Sequence, residues 1–267
     1  MPSPGRNLPA AIGVGVGLFA LLVASVVWRP EPLVVLVATA VALAMWELAA
    51  AFDQARIRLP FWPLAVGAVG IQVCAYVAGH TGVVVAFVLT VVAAVVWRAI
   101  DGIGELFARD VMASVFAATY IGLLAAFLIL VAAIPGEGRW LALVVVLLPV
   151  GNDIGGYVLG TLAGRHPLAP TISPKKSWEG LGGSAALAVL VGVVAAIVLH
   201  HPWWWGLVLG AAAVVTSTLG DLAESLLKRA LGIKDMGSIL PGHGGVLDRV
   251  DSILMTAPVA YAVLMVA

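Results

Sequence analysis

Two carboxylates one helical turn apart in an otherwise apolar run raise the first question of chemistry. In Gly220-Asp221-Leu222-Ala223-Glu224-Ser225-Leu226-Leu227-Lys228-Arg229, the residues Asp221, Glu224, Ser225 and Lys228 are spaced i, i+3, i+4, i+7 and share one face of a helix. An ionisable side chain within a membrane span costs at least about 2.5 kcal/mol at its centre, and neighbouring carboxylates also repel. Something positive must compensate. Lys228 as a structural ion pair supplies part of the compensation. A Mg²⁺ ion supplies more, because hard divalent cations take carboxylate oxygens together with waters and nucleotide phosphates.

A second block runs from Lys234 to Asp251 and contains Lys234-Asp235, His243-Gly244-Gly245 and Asp248-Arg249. Glycines beside a lysine and a histidine suit a backbone that approaches phosphate oxygens with its amides turned inward. Asp248 and Asp251 follow at i, i+3. Asp248 as a helix N-cap explains one aspartate but not the other groups. Four carboxylates, Asp221, Glu224, Asp248 and Asp251, are therefore expected to converge on one or two bridging metals that hold a triphosphate. A third block joins Asn152-Asp153-Ile154-Gly155-Gly156 to Ile172-Ser173-Pro174-Lys175-Lys176-Ser177-Trp178-Glu179-Gly180. Asp153 lies inside an apolar run, and Lys175 with Lys176 suits an anionic lipid or nucleotide phosphate at a bilayer surface.

The elements that position these blocks belong in lipid. Of 267 residues, 62% are hydrophobic and only 10% charged, which leaves too little polar surface to solvate a globule. Apolar runs fall at about 10–28, 33–52, 61–79, 81–97, 111–134, 140–163, 180–199, 203–227 and 252–267. Each approaches the roughly 20 residues that a spanning helix needs. The expected architecture is all-α, with about nine transmembrane helices. Five lie in residues 1–135, and the catalytic region, 136–267, carries two polar motif loops. The first run lacks a small-residue cleavage pattern and is read as a retained helix. With nine spans, twelve of the fourteen Lys and Arg residues fall on the N-terminal side and only Arg29 and Arg139 on the other. The N-terminus and both motif loops, about 164–179 and 228–251, should then be cytoplasmic. The single cysteine, Cys74, excludes an intrachain disulfide. Asp101, Glu105, Arg109 and Asp110 read as a solvated amphipathic connector.

From Ser225 to Asp251 the chain reads Ser-x-Leu-Lys-Arg, four residues, Lys-Asp-x-Gly, two residues, Leu-Pro-x-His-Gly-Gly-Val-x-Asp-Arg-Val-Asp. This stretch resembles the signature of phosphatidate cytidylyltransferases, the CDP-diglyceride synthases. The upstream Asp-x-Gly-x-Tyr-x-x-Gly and Ile-Ser-Pro-Lys-Lys-x-Trp-Glu-Gly resemble the same family in the same order. Ser177 stands where that family usually has threonine and Gly156 where alanine is usual, and Trp46-Glu47 is a weaker point of similarity. The resemblance implies a helical, commonly dimeric inner-membrane enzyme that uses Mg²⁺, with or without a second cation, to transfer CMP from CTP to phosphatidate. It implies membrane lipids as partners and no nucleic acid. Asp221, Asp248 and Asp251 are the implied metal and catalytic carboxylates, with Glu224 and Asp153 close by. Lys175, Lys176, Ser225, Lys228, Arg229, Lys234, His243, Gly244, Gly245 and Arg249 are the implied binding positions, among which Lys234 and His243 are assigned to catalysis.

The attacking phosphatidate oxygen is already anionic at pH 7, so the difficulty is charge rather than deprotonation. Two polyanions must be neutralised and aligned. An ion-coupled transporter would also carry intramembrane carboxylates, but near the midplane rather than beside long basic loops. A CDP-alcohol phosphotransferase would carry an Asp-Gly-x-x-Ala-Arg stretch, and none occurs. His200-His201 and Trp203-Trp204-Trp205 read as an interfacial belt.

Overall fold

The computed structural model describes residues 8–239 and 244–266, and the expected site residue His243 lies outside them. The chain divides into two compact units, 1–126 with 231–250, and 127–230 with 251–267. Both are helical. The one described exception is a two-stranded hairpin.

The first unit contains α1 (Leu8–Trp28), α2 (Pro30–Gln54), α3 (Phe61–Ile100) and α4 (Phe107–Ala117). Pro30 opens α2 after the extended Arg29, a position where the missing amide costs nothing. At about 1.5 Å per residue, the 40 residues of α3 would reach about 60 Å, twice a hydrocarbon core. They do not run straight. The backbone leaves the helical region at Gly79, with φ 57° and ψ −143°, where a side chain would be strained. Beyond it the second arm returns along the first, because a Cβ added at Gly67 would overlap the Thr90 side chain. The expected runs 61–79 and 81–97 are these two arms.

A π-helical turn, Ala118–Leu123, continues α4 into α5 (Leu124–Ala132). Such a turn misaligns the carbonyl ladder, and the fully buried Gln72 of α3 donates from Nε2 to the Gly122 carbonyl at 2.8 Å. The connector before α4 departs from expectation. Asp101 and Glu105 are exposed, but Asp110 is 1% exposed. Its carboxylate accepts from Arg98 Nε at 3.0 Å and from the Arg58 amide at 3.2 Å. A buried Asp–Arg pair fastens α3 to α4 where a solvated surface was expected.

The second unit is built on α6 (Gly138–Ala163), α7 (Trp178–Val198), α8 (Trp203–Ala230) and the body of α9 (Leu247–Val266). Helices in lipid associate through close packing rather than the hydrophobic effect, so small residues line their contacts. Gly155 meets Gly183 between α6 and α7, and Gly192 meets Gly206 between α7 and α8, each closely enough that a Cβ would strike backbone. Between α6 and α7 lies the hairpin β1 (Pro167–Ala169) and β2 (Ser173–Ser177), antiparallel, with Pro167 opposite Ser177. Among the described residues, seven helices are long and apolar enough to cross a membrane: α2, α3, the continuous run 107–132, α6, α7, α8 and α9.

Candidate active site

In the second unit the carboxylates of α8 and α9 come together. Glu224 and Asp251 are buried, and the Asp251 carboxyl lies beside those of Asp221 and Glu224. Gly220 makes this approach possible, since a Cβ there would sit 2.9 Å from the Asp251 carbonyl oxygen and 3.0 Å from Ser252 Cα. Ser252 Oγ donates to Asp221 Oδ1 at 2.7 Å, and its amide donates to Asp251 Oδ1 at 2.7 Å. Two lysines answer the three acids. Lys176 pairs with Asp221 Oδ2, and Lys228 donates to Glu224 Oε2 at 3.0 Å, one turn along α8. Asp251 shares a hydrogen bond with Glu224 rather than facing a lysine, so ionising all three acids would need one more positive charge than the two lysines supply, which a further cation could provide. Among the described residues no three His, Cys, Asp or Glu side chains form a ready metal cage. Mg²⁺ does not require one, because it is held by one or two carboxylates plus waters and substrate phosphates.

Asp221 also lines a cavity of about 330 Å³ with Asn152 and Asp153 of α6, Lys175 and Lys176 of β2, and Thr218 of α8. Small-molecule sites typically occupy about 300–1,000 Å³. The hairpin delivers the two lysines to this cavity. It is braced by Glu179, which accepts from the Arg165 and His166 amides at 3.0 and 3.2 Å and pairs with His166 Nδ1 at 2.6 Å. Ser177 ends the strand and caps α7, its Oγ accepting from the Gly180 amide at 3.0 Å. Threonine would serve the same purpose.

The glycine-rich block belongs to the first unit. Asp248 Oδ2 accepts from the Met236 amide at 3.1 Å and the Gly245 amide at 2.9 Å, drawing two parts of the loop together. Gly244 has φ +85°, which favours glycine. The buried Glu47 of α2 accepts from the Leu247 amide at 2.8 Å and from the Val246 backbone. Gly237 and Gly245 lie against its carboxylate, and a Cβ at Gly245 would be 2.7 Å from Glu47 Oε2 and 2.9 Å from Asp248 Oδ2. The loop is thus shaped around two carboxylates, with Lys234 and Arg249 exposed beside it.

Of the residues singled out by sequence, the second unit gathers Asp221, Glu224, Asp251, Lys176 and Lys228, and its cavity adds Asp153 and Lys175. Ser225 is half-buried and Arg229 exposed farther along α8. The first unit holds Asp248, Gly244, Gly245, Lys234 and Arg249. Sequence reasoning passed over Asn152, Ser252 and the anchoring role of Glu47. A polar residue inside an apolar run was the available signal for Asn152 and Glu47.

The family model described as the cytidylyltransferase family matches residues 9–267. The chain belongs to this family. As a cytidylyltransferase it is similar over 98% of its length to a phosphatidate cytidylyltransferase of Mycobacterium leprae, with 39% identity and 89% of that relative covered. The phosphatidate cytidylyltransferase of Mycobacterium tuberculosis strain H37Rv is 37% identical over 97% of the chain and 83% of the relative. That of Pseudomonas aeruginosa is 51% identical over 130 residues, 48% of each chain. Cytidylyl transfer requires a place for a nucleoside triphosphate and its counter-charges, which the acid and lysine cluster beside the cavity can provide.

Proposed function

We propose that this cytidylyltransferase joins CTP to phosphatidate, producing CDP-diacylglycerol and pyrophosphate. The observation that carries the reading is the meeting of Asp221, Glu224 and Asp251 with Lys176 and Lys228 beside a cavity, in a chain related along its length to phosphatidate cytidylyltransferases. A phosphatidate phosphate oxygen attacks the α-phosphorus of CTP. A new P–O bond forms as the bond from that phosphorus to the bridging oxygen breaks, and pyrophosphate leaves with the electron pair. The acceptor needs no strong base because it is already ionised.

Asp221, Glu224 and Asp251 are the carboxylates that fit Mg²⁺, and Asp248 is the fourth that the sequence assigns to it. Bound there, the ion would neutralise triphosphate charge. The chain's own work is positioning. Lys176 exchanges its partner Asp221 for a substrate phosphate, Lys175 takes the lipid headgroup, and Lys228 holds Glu224 in place. Lys234, His243 and Arg249 are assigned to the triphosphate and the leaving pyrophosphate, with Gly244 and Gly245 presenting backbone amides and Ser225 and Arg229 as further binding positions. Neutralisation and alignment are the usual source of rate in such transfers.

Nine spans with a cytoplasmic N-terminus would place the motif loops where CTP is found, in an inner membrane and as a homodimer. The partition of Lys and Arg supports this orientation. The activity is tested by offering purified protein CTP, Mg²⁺ and a panel of lipid phosphates. Formation of CDP-diacylglycerol from phosphatidate, with release of one pyrophosphate per product, is expected. No product from any lipid phosphate would refute the assignment.

A further inference from the structure

One residue lining the cavity of the second unit carries a buried acceptor that no described protein group satisfies. That residue, Asn152, is 3% exposed, and its Oδ1 has no hydrogen-bond donor among the described residues. Its Nδ2 donates to Asp153 Oδ1 at 3.3 Å. Only the amino end of an amide can donate to a carboxylate, so this contact assigns the orientation and leaves Oδ1 as the open acceptor. Ser184 Oγ of α7 donates to the Asn152 main-chain carbonyl at 2.6 Å, fixing that turn of α6. A buried acceptor without a donor is unfavourable, and such groups in native sites call for an outside partner.

The two substrates differ in what they offer. Phosphatidate presents ester and phosphate oxygens, which accept, whereas CTP carries a base amino group and ribose hydroxyls, which donate. The open acceptor therefore suits the nucleotide. Cytosine also differs from uracil at this kind of contact, presenting an amino donor where uracil presents a carbonyl acceptor. We propose that Asn152 Oδ1 accepts a hydrogen bond from the 4-amino group of CTP and selects cytosine over uracil. This inference rests on the CTP-dependent reading above. Asp153 is then a positioning residue, since its hold on Nδ2 prevents the amide from turning to present a donor to uracil. With UTP two acceptors face each other, and a site built on a buried hydrogen bond rejects an analogue that lacks its partner. Lys176 and Asp221 on the same cavity leave the charged part of the nucleotide close to its counter-charges.

The test measures kcat/KM for CTP, UTP and dCTP with purified protein, phosphatidate and Mg²⁺. Asn152→Ser should lower kcat/KM for CTP and dCTP alike by about 30-fold while leaving UTP within about threefold, collapsing the discrimination. Asp153→Ala should also raise UTP use relative to CTP. An equal loss with CTP and UTP, or an unchanged preference, would overturn the proposal. So would a penalty confined to CTP and absent with dCTP, which would assign the contact to the ribose. Should N152S fail to fold, the unmodified protein is given the triphosphate of 2-pyrimidinone riboside, which lacks the 4-amino group. A loss of about 30-fold or more is expected there, and full activity would overturn the proposal. Absence of CTP turnover by the unmodified protein is a different result, and refutes the underlying activity.

Discussion

The acids of the α8 and α9 cluster and those of the glycine loop are paired in different ways. Asp221 and Glu224 face lysine ammonium groups. Glu47 and Asp248 face backbone amides of the loop they shape. A lysine side chain can release its partner when a phosphate or metal arrives, because three rotatable donors on a flexible stem re-pair easily. A loop amide cannot leave without moving the chain. The first kind of pairing suits exchange during a reaction, and the second suits a scaffold that must keep one shape. Acidic residues in apolar helices thus divide by what they hold, although they look alike in sequence.

The largest expected effect breaks the exchangeable side of this comparison. Asp221→Asn or Asp251→Asn should lower kcat by about 10²-fold or more, the scale of removing a transition-state electrostatic contact. Yield and thermal stability in detergent should stay near those of the unmodified protein, and a product-formation assay with a melting curve checks both.

On the scaffold side, Glu47→Ala removes the acceptor for the Leu247 amide and should destabilise the loop by about 1–3 kcal/mol, the cost of leaving buried donors unpaired. Glu47→Gln, which keeps an oxygen acceptor, should restore much of that stability. Limited proteolysis within 234–247 reports the difference. Equal behaviour of the two variants would contradict the anchoring role. Gly245→Ala sharpens the same point, because its Cβ would meet both Glu47 and Asp248. It should reduce activity about tenfold, through a loss of about 1–3 kcal/mol from overpacking.

The smallest effect separates positioning from charge. Ser252→Ala removes the hydroxyl bond to Asp221 but no charge. It should cost about 1 kcal/mol, or roughly a fivefold fall in kcat/KM, measured against CTP. A loss as large as that of Asp221→Asn would move Ser252 from support to chemistry.

Much of this was legible in the chain because membrane spans are written in long apolar runs. Gly79-His80 interrupts such a run, and the backbone turns back there. The i, i+3, i+4, i+7 stripe of α8 was readable for the same reason, since helical spacing fixes which residues share a face. Partners distant in sequence were not readable. Glu47 meets an amide 200 residues away, and Lys176 reaches Asp221 only because a short hairpin carries it there. Asp110 shows the opposite failure. Asp101, Glu105, Arg109 and Asp110 read as a solvated connector, yet Arg98, twelve residues before Asp110 and on another helix, buries that aspartate by neutralising it. Gly156 stands where the resembled family usually has alanine. The structure supplies a reason for the small residue, since a Cβ there would sit 2.6 Å from Ser184 Oγ.

The central claim, that the acids of α8 and α9 hold the divalent cation accompanying CTP, is tested most directly by electron paramagnetic resonance of Mn²⁺ titrated into the purified protein with CTP. A protein-bound Mn²⁺ signal that requires the nucleotide and disappears in Asp221→Asn and Asp251→Asn is predicted. The same bound signal in both variants, at unchanged affinity, would contradict it.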